Sequence, residues 1–142
     1  MILSQTATYA LKAVLFLVEN RDADLARAED IAAALKVPRN YLSKILQTLT
    51  RDGILTSTRG PRGGFRLRSD PAKLTLKRVV ETFDPAQSNP MCLLGRAQCS
   101  DLNPCAAHAR WKGVSAAGHR FLEETTIVDL VSADSDREAT LR

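Results

Sequence analysis

The chain has 142 residues, 44% hydrophobic and 25% charged, with a formal charge of +4, a composition that predicts a globular protein with one modest core or a small domain plus an appendage. No apolar run approaches the ~20 residues that span a bilayer and no leader-like apolar block opens the chain, which argues against a membrane partner and for a cytoplasmic location. The charge is uneven: residues 1–78 carry 14 Lys/Arg against 7 Asp/Glu, and residues 79–142 carry 6 against 9. The basic half is therefore the half to test against nucleic acid, although a basic surface without a motif is often only a solvated face.

In chain order, Ser4 is a usable N-cap, and Ala7, Ala10, Leu11, Val14, Leu15 and Val18 recur on one helical face, predicting a helix over about 4–20. A short second helix is expected from Ala28 to about Lys36, with Glu29 and Asp30 in its first turn and Ile31, Ala32 and Leu35 inward. Pro38 suits the first turn of a third helix, in which Leu42, Ile45, Leu46 and Leu49 form one apolar stripe before Gly53. Its other side carries Arg39, Asn40, Tyr41, Ser43, Lys44 and Gln47, donors and acceptors of the kind that reach phosphates and base edges. Single helix charges of this kind are commonplace, but two helices joined at Val37-Pro38 have the form of a helix-turn-helix.

Alternation in residues 54–58 and 65–68 around the Gly/Pro-rich turn 59–64 predicts a β-hairpin, and Arg59, Arg62, Arg66 and Arg68 make it a basic wing. Thr75 can cap a fourth helix with Leu76, Val79, Val80 and Phe83 on one face. No period is visible from Pro85 to Asn103, and Asn103 as N-cap with Pro104 in the first turn is read as the start of a fifth helix running to about Glu124. At roughly 30 Å, that helix is too long for one small chain to cover. Pairing with a second copy, which would suit a palindromic DNA site, is expected.

The chain's three cysteines, Cys92, Cys99 and Cys105, all fall in that aperiodic stretch. An odd number cannot pair off as intramolecular disulfides, and clustered thiols in a polar loop point to metal or redox chemistry. Spacings of six and five residues lie outside the C-x-x-C pairs of most zinc ribbons, whereas thiolates are preferred ligands of iron-sulfur clusters and three of them leave one position open. His108, three residues after Cys105, stands one helical turn along and is a candidate fourth ligand; the plainer alternative is a surface histidine at a helix start. No third orienting group marks Cys105 and His108 as a nucleophile pair, and no Lys-Ser/Thr follows Gly63-Gly64, so neither a thiol enzyme nor a nucleotide site is favoured.

The run Asn40 to Leu49, Gly53-Ile54-Leu55, the stretch Ser57 to Phe65 and the three-cysteine loop together resemble the Rrf2 family of winged-helix transcription regulators, over roughly residues 2–131. The resemblance implies a homodimeric regulator with the third helix in the major groove of double-stranded DNA and Arg59 near the minor groove. It further implies Cys92, Cys99 and Cys105 as ligands of an iron-sulfur cluster, and Cys105-Ala106-Ala107-His108 matches members in which histidine completes a 2Fe-2S cluster. The first cysteine spacing is six residues where members commonly have five. Members with a 4Fe-4S cluster use a carboxylate near the N-terminus, but Gln5-Thr6-Ala7-Thr8-Tyr9 has none, which favours His108 and 2Fe-2S with 4Fe-4S as the alternative.

The expected architecture is mainly α: a winged helix-turn-helix over 1–84, a cluster-binding loop over 85–104, a dimerisation helix and turn over 105–132 and a mobile tail over 133–142. The expected function is cluster-controlled binding to a palindromic operator by a homodimer, with no enzymatic activity and no small-molecule substrate. The rivals are a thiol or zinc sensor without a cluster and, more remotely, a non-DNA interaction module or small thiol enzyme.

Overall fold

The computed structural model describes residues 3–22, 24–85, 92–96 and 100–132. Helix α1, Gln5–Glu19, opens on Ser4, whose hydroxyl accepts the Ala7 N–H at 3.1 Å, meeting a backbone donor that the first turn leaves unpaired. It buries Ala7, Ala10, Ala13, Val14, Leu17 and Val18, and the three alanines leave room for α3 and α4 to pack close.

Helix α2, Ala28–Leu35, ends at Lys36 with φ 55° and ψ 46°, a left-handed cap whose N–H reaches the Ala32 and Ala33 carbonyls. The helix ends where the sequence reading placed it, but glycine would be the usual residue for this left-handed cap, so its conformation was not announced. Pro38 stands at the N-cap of α3, Arg39–Arg51, with φ −55° and ψ 133°, rather than inside the first turn. An extended ψ belongs to a cap, and the Pro38 carbonyl accepts the Leu42 N–H at 3.1 Å. The stripe Leu42, Ile45, Leu46 and Leu49 is buried as its spacing predicts.

Gly53, at φ 81°, turns the chain into β1, Leu55–Thr58, which pairs antiparallel with β2, Gly64–Leu67, in the register Leu55 with Leu67 and Ser57 with Phe65. A third backbone segment joins this wing. Ala26 and Phe65 exchange both hydrogen bonds, at 3.0 and 2.7 Å, tying the hairpin to the residues before α2.

Thr75 caps α4, Leu76–Phe83, by accepting the Arg78 N–H, and Leu76, Val79 and Val80 are buried. Helix α5 runs His108–Glu124, four residues shorter at its start than expected from an Asn103 N-cap with Pro104 in the first turn. Asn103 does not cap it: the cap position is Ala107, with no side-chain hydrogen bond, and the Asn103 carbonyl instead accepts from Arg96 Nη1 at 2.9 Å. After α5 the chain returns along the entry to α4. Leu76 N–H reaches Thr125 O and Ile127 N–H reaches Leu74 O, both at 2.9 Å, and a helical stretch follows over 127–132.

Leu122 and Ile127 thereby join the same buried cluster as α1, α3 and α4. The result is a mainly helical winged helix-turn-helix with a two-stranded wing. No helix among the described residues is long and apolar enough to cross a membrane. The tail expected to be mobile lies outside the described residues.

Leu46 is fully buried in the middle of the α3 stripe. Leu46→Ala should lower the unfolding free energy of the metal-free protein by about 2–5 kcal/mol, measured by urea denaturation.

Candidate DNA interface and cysteine site

With the apolar stripe of α3 turned inward, Asn40, Lys44 and Gln47 are exposed on the opposite side and Ser43 is half-buried. Arg39 is also exposed, but its Nη2 is engaged by Glu29 Oε1 at 2.7 Å, a link between α3 and the start of α2. Tyr41 departs from its neighbours. Its hydroxyl lies 2.6 Å from Thr6 Oγ1 and its ring meets Tyr9 edge-on at 6.0 Å, so it braces α3 against α1. The sequence held one signal for this: Tyr41 is four residues before Ile45, at the margin of the buried stripe.

Between α3, the start of α2 and the wing lies an open groove of about 510 Å³, lined by Gln47 and Thr50 from α3, Arg27 and Glu29, and wing residues including Ser57, Arg59 and Gly63. Arg59 and Arg62 are exposed on the wing. Arg27, which the sequence reading did not single out, donates from Nη2 to the Pro61 carbonyl at the wing tip. The turn is closed by Gly63 N–H to Gly60 O at 2.9 Å. A Cβ on Gly63 would sit 2.1 Å from the Thr58 carbonyl oxygen and one on Gly64 2.6 Å from that of Ala26. Both glycines are therefore required by close backbone approach.

At the other end of the molecule, Cys92 is buried, Cys105 is half-buried, and their Sγ atoms stand 3.5 Å apart. Two thiolates on one tetrahedral metal ion with bonds near 2.3 Å would be about 3.8 Å apart, so this pair is close to ligand spacing. The Cys92 thiol is held below its usual range chiefly by the Arg96 backbone N–H, with burial opposing, and the Leu94 N–H, Cys105 and the Arg96 charge adding to the lowering. Such donors favour the thiolate, the form that binds metal. Cys99 lies outside the described residues.

His108 is the first residue of α5, and its N–H reaches the Cys105 carbonyl at 3.1 Å. Cys105 thus precedes the helix in a turn instead of sharing it, although one turn still separates the two residues. The buried His108 ring places Nε2 at 2.7 Å from Asp101 Oδ1. Lys112 Nζ meets both Asp101 oxygens at 2.9 Å. Hydrogen bonds from His108 first, and from Lys112 second, hold the Asp101 carboxyl below the usual carboxylate range. Asp101 and Lys112 were missed in the sequence: Lys112 sits at i+4 from His108, a readable signal, but Asp101 lies in an aperiodic loop. Among the described residues no three His, Cys, Asp or Glu side chains converge on one point, so the site consists of a thiol pair and a His108–Asp101–Lys112 chain.

Helix α5 leaves Val114 and Phe121 more than half exposed, at 55% and 54%. They are seven residues apart and share a side of the helix. Val114, Leu93, Leu94 and Trp111 also line an apolar depression beside the cysteine loop.

The sequence profile of the Rrf2 family, described as iron-dependent transcriptional regulator, matches residues 3–133. A chain of Aquifex aeolicus named for HTH-type transcriptional regulation is 40% identical over 136 residues, 94% of each chain. The HTH-type transcriptional regulator IscR of Citrobacter koseri is 28% identical, covering 99% of this chain and 88% of its own. Among solved structures, CymR, the global cysteine regulator of B. subtilis, superposes with a TM-score of 0.79 at 22% identity, over 94% of this chain and 98% of that one. IscR of T. potens superposes with a TM-score of 0.73 at 16% identity, over 94% and 88%. These two structures match the fold.

Gly63→Ala should open the wing turn, because the Thr58 carbonyl is backbone and cannot swing aside. A stability loss of about 1–3 kcal/mol is expected, with faster amide exchange at Gly63 and Phe65 by NMR. Unchanged exchange would mean that the turn has another stable form.

Proposed function

Because the chain belongs to the Rrf2 family of transcriptional regulators, we propose that it is a homodimeric DNA-binding regulator whose operator affinity is set by an iron-sulfur cluster on Cys92, Cys99, Cys105 and His108. The observation that carries this reading is the 3.5 Å approach of the Cys92 and Cys105 thiols at the foot of α5, near the separation of two thiolates on one iron. When bound, the cluster would supply a centre whose presence or oxidation state depends on iron and oxidants, with 2Fe-2S favoured by the Cys3His donor set. The chain's own part is to lower the Cys92 pKa through the Arg96 and Leu94 backbone N–H groups, to present Cys105 and His108 one turn apart, and to connect this end to the DNA face through α4 and α5.

On the DNA side, α3 enters the major groove with Asn40, Ser43, Lys44 and Gln47 toward base edges and phosphates. Arg59 and Arg62 follow the backbone or minor groove, and Arg39 adds a phosphate contact beside its pairing with Glu29. Tyr41 contributes by fixing α3 on α1. A second copy packed along α5 covers Val114 and Phe121, and the twofold axis suits a palindromic site. The proposed division of labour is a DNA-binding part over 1–84, a ligand loop over 85–104, a dimerisation part over 105–132 and a tail over 133–142.

A second reading rests on the same sulfur pair: a thiol-redox regulator without a cluster, in which Cys92 and Cys105 respond directly to oxidants. Anaerobic purification separates the two. The first reading expects visible absorbance with stoichiometric iron and acid-labile sulfide, lost on replacing any one cysteine by serine; colourless protein holding at most zinc favours the second.

Arg59→Ala and Lys44→Ala should each weaken operator binding by about 1–3 kcal/mol, and loss of a phosphate contact should also flatten the salt dependence. Titrations at several salt concentrations check this. Phe121→Glu should dissociate the dimer, because a desolvated carboxylate would be buried against the partner helix. Sedimentation at micromolar concentration should show a dimer for the wild type and a monomer for the variant.

A further inference from the structure

We infer that Asp101 is a positioning residue for His108: its carboxylate, clamped by Lys112, fixes the imidazole so that metal ligation falls to Nδ1. This rests on His108 being a ligand, as proposed above, and concerns what makes it one.

Nε2 of His108 lies 2.7 Å from Asp101 Oδ1, and an ionised carboxylate can only accept. Nε2 must therefore carry the proton, which in a neutral imidazole puts the lone pair on Nδ1. The ring is buried and belongs to the first residue of α5, whose backbone N–H is already fixed on Cys105 O. What remains to be set is its rotation, and the Asp101 contact constrains it. Asp101 is itself on an exposed loop, with 68% of its side chain accessible, and would swing freely on its own. Lys112 prevents that. Its Nζ is 2.9 Å from both carboxylate oxygens, and it stands one turn beyond His108 on α5, so two residues of a rigid helix hold the carboxylate between them. A carboxylate on the far nitrogen of a histidine ligand is a recurring arrangement that fixes the tautomer and makes the ring a stronger electron donor.

A plainer role exists: an anion near the N-terminus of α5 stabilises the helix whatever His108 does. The two roles separate in the following series. Asp101→Asn keeps an acceptor oxygen but removes the charge; Asp101→Ala removes both. In the metal-free full chain, ¹⁵N NMR of the imidazole at neutral pH should show the Nε2–H tautomer for the wild type and Asp101→Asn, and a mixture for Asp101→Ala. In protein reconstituted anaerobically with ferrous iron and sulfide, both variants should shift the midpoint potential to more positive values, and Asp101→Ala should lose its cluster to a chelator at least about ten-fold faster. A helix-stabilising role alone would lower the unfolding midpoint and leave tautomer and potential in place, which would overturn the proposal, as would an Nδ1–H tautomer in the wild type. Should Asp101→Ala not fold, the potential of Asp101→Asn decides. His108→Ala serves as the reference. If that variant keeps the wild-type potential and lifetime, the ligand reading falls and the positioning role with it; if it alters them while the Asp101 variants do not, the positioning role alone falls.

Discussion

Burial of Leu42, Ile45, Leu46 and Leu49 against the neighbouring helices sets the rotation of α3 about its own axis, and the rest of the proposed DNA-facing surface is referred to that rotation. Burying a leucine or isoleucine side chain contributes roughly 1.5–3 kcal/mol, and four of them outweigh any preference of the polar residues. A turn of one residue, about 100°, would bring Ser43, Gln47 and Thr50 toward the core and push three of the four apolar side chains out. Asn40, Lys44 and Gln47 are exposed because no other rotation is affordable.

The wing takes its position from the same frame. Ile54 and Leu55 are buried directly after α3, so the hairpin leaves the core at a fixed point, and the paired backbone of Ala26 and Phe65 ties it to the residues before α2. Arg27 then holds the wing tip through the Pro61 carbonyl. Arg59 and Arg62 accordingly stand at a defined distance from the outer face of α3. Tyr41, facing α1 through Thr6 and Tyr9, closes this framework on the opposite side.

The cysteine stretch is anchored at both ends to that framework. Asp84, at the end of α4, accepts the Ser4 backbone N–H at 2.8 Å. Helix α5 is fastened at its far end by Leu122 and Ile127 in the common core and by the backbone pairing of residues 74–76 with 125–127. The thiol pair and the His108–Asp101–Lys112 chain thus occupy the near end of a helix whose other end is fixed against the base of α4. In the proposed control, a change in how the loop is ligated would act on a helix already attached to the α4 base.

Most of the helices were legible from the sequence because each is decided by its own residues: Ser4 and Thr75 cap, and the stripes of α1, α3 and α4 repeat at helical spacing. The hairpin was legible for the same reason, since Gly63 answers a need within a few residues of chain, whereas Gly64 makes room for the distant Ala26 carbonyl. The clustering of three cysteines was legible from residue type alone, and the expectation of metal or redox chemistry rests on that clustering. What the sequence left open depends on partners distant along the chain. The cap of α5 lies at Ala107 and not at Asn103, whose carbonyl accepts from Arg96, and Tyr41 leans on α1 through Thr6 and Tyr9. Ala26 joins the wing across some forty residues of sequence. Asp101 and Lys112 had no role until folding brought the carboxylate to His108. Local propensity and periodicity are properties of a segment, but a hydrogen bond between a loop and a helix face is a property of their relative placement, and only tertiary packing supplies that.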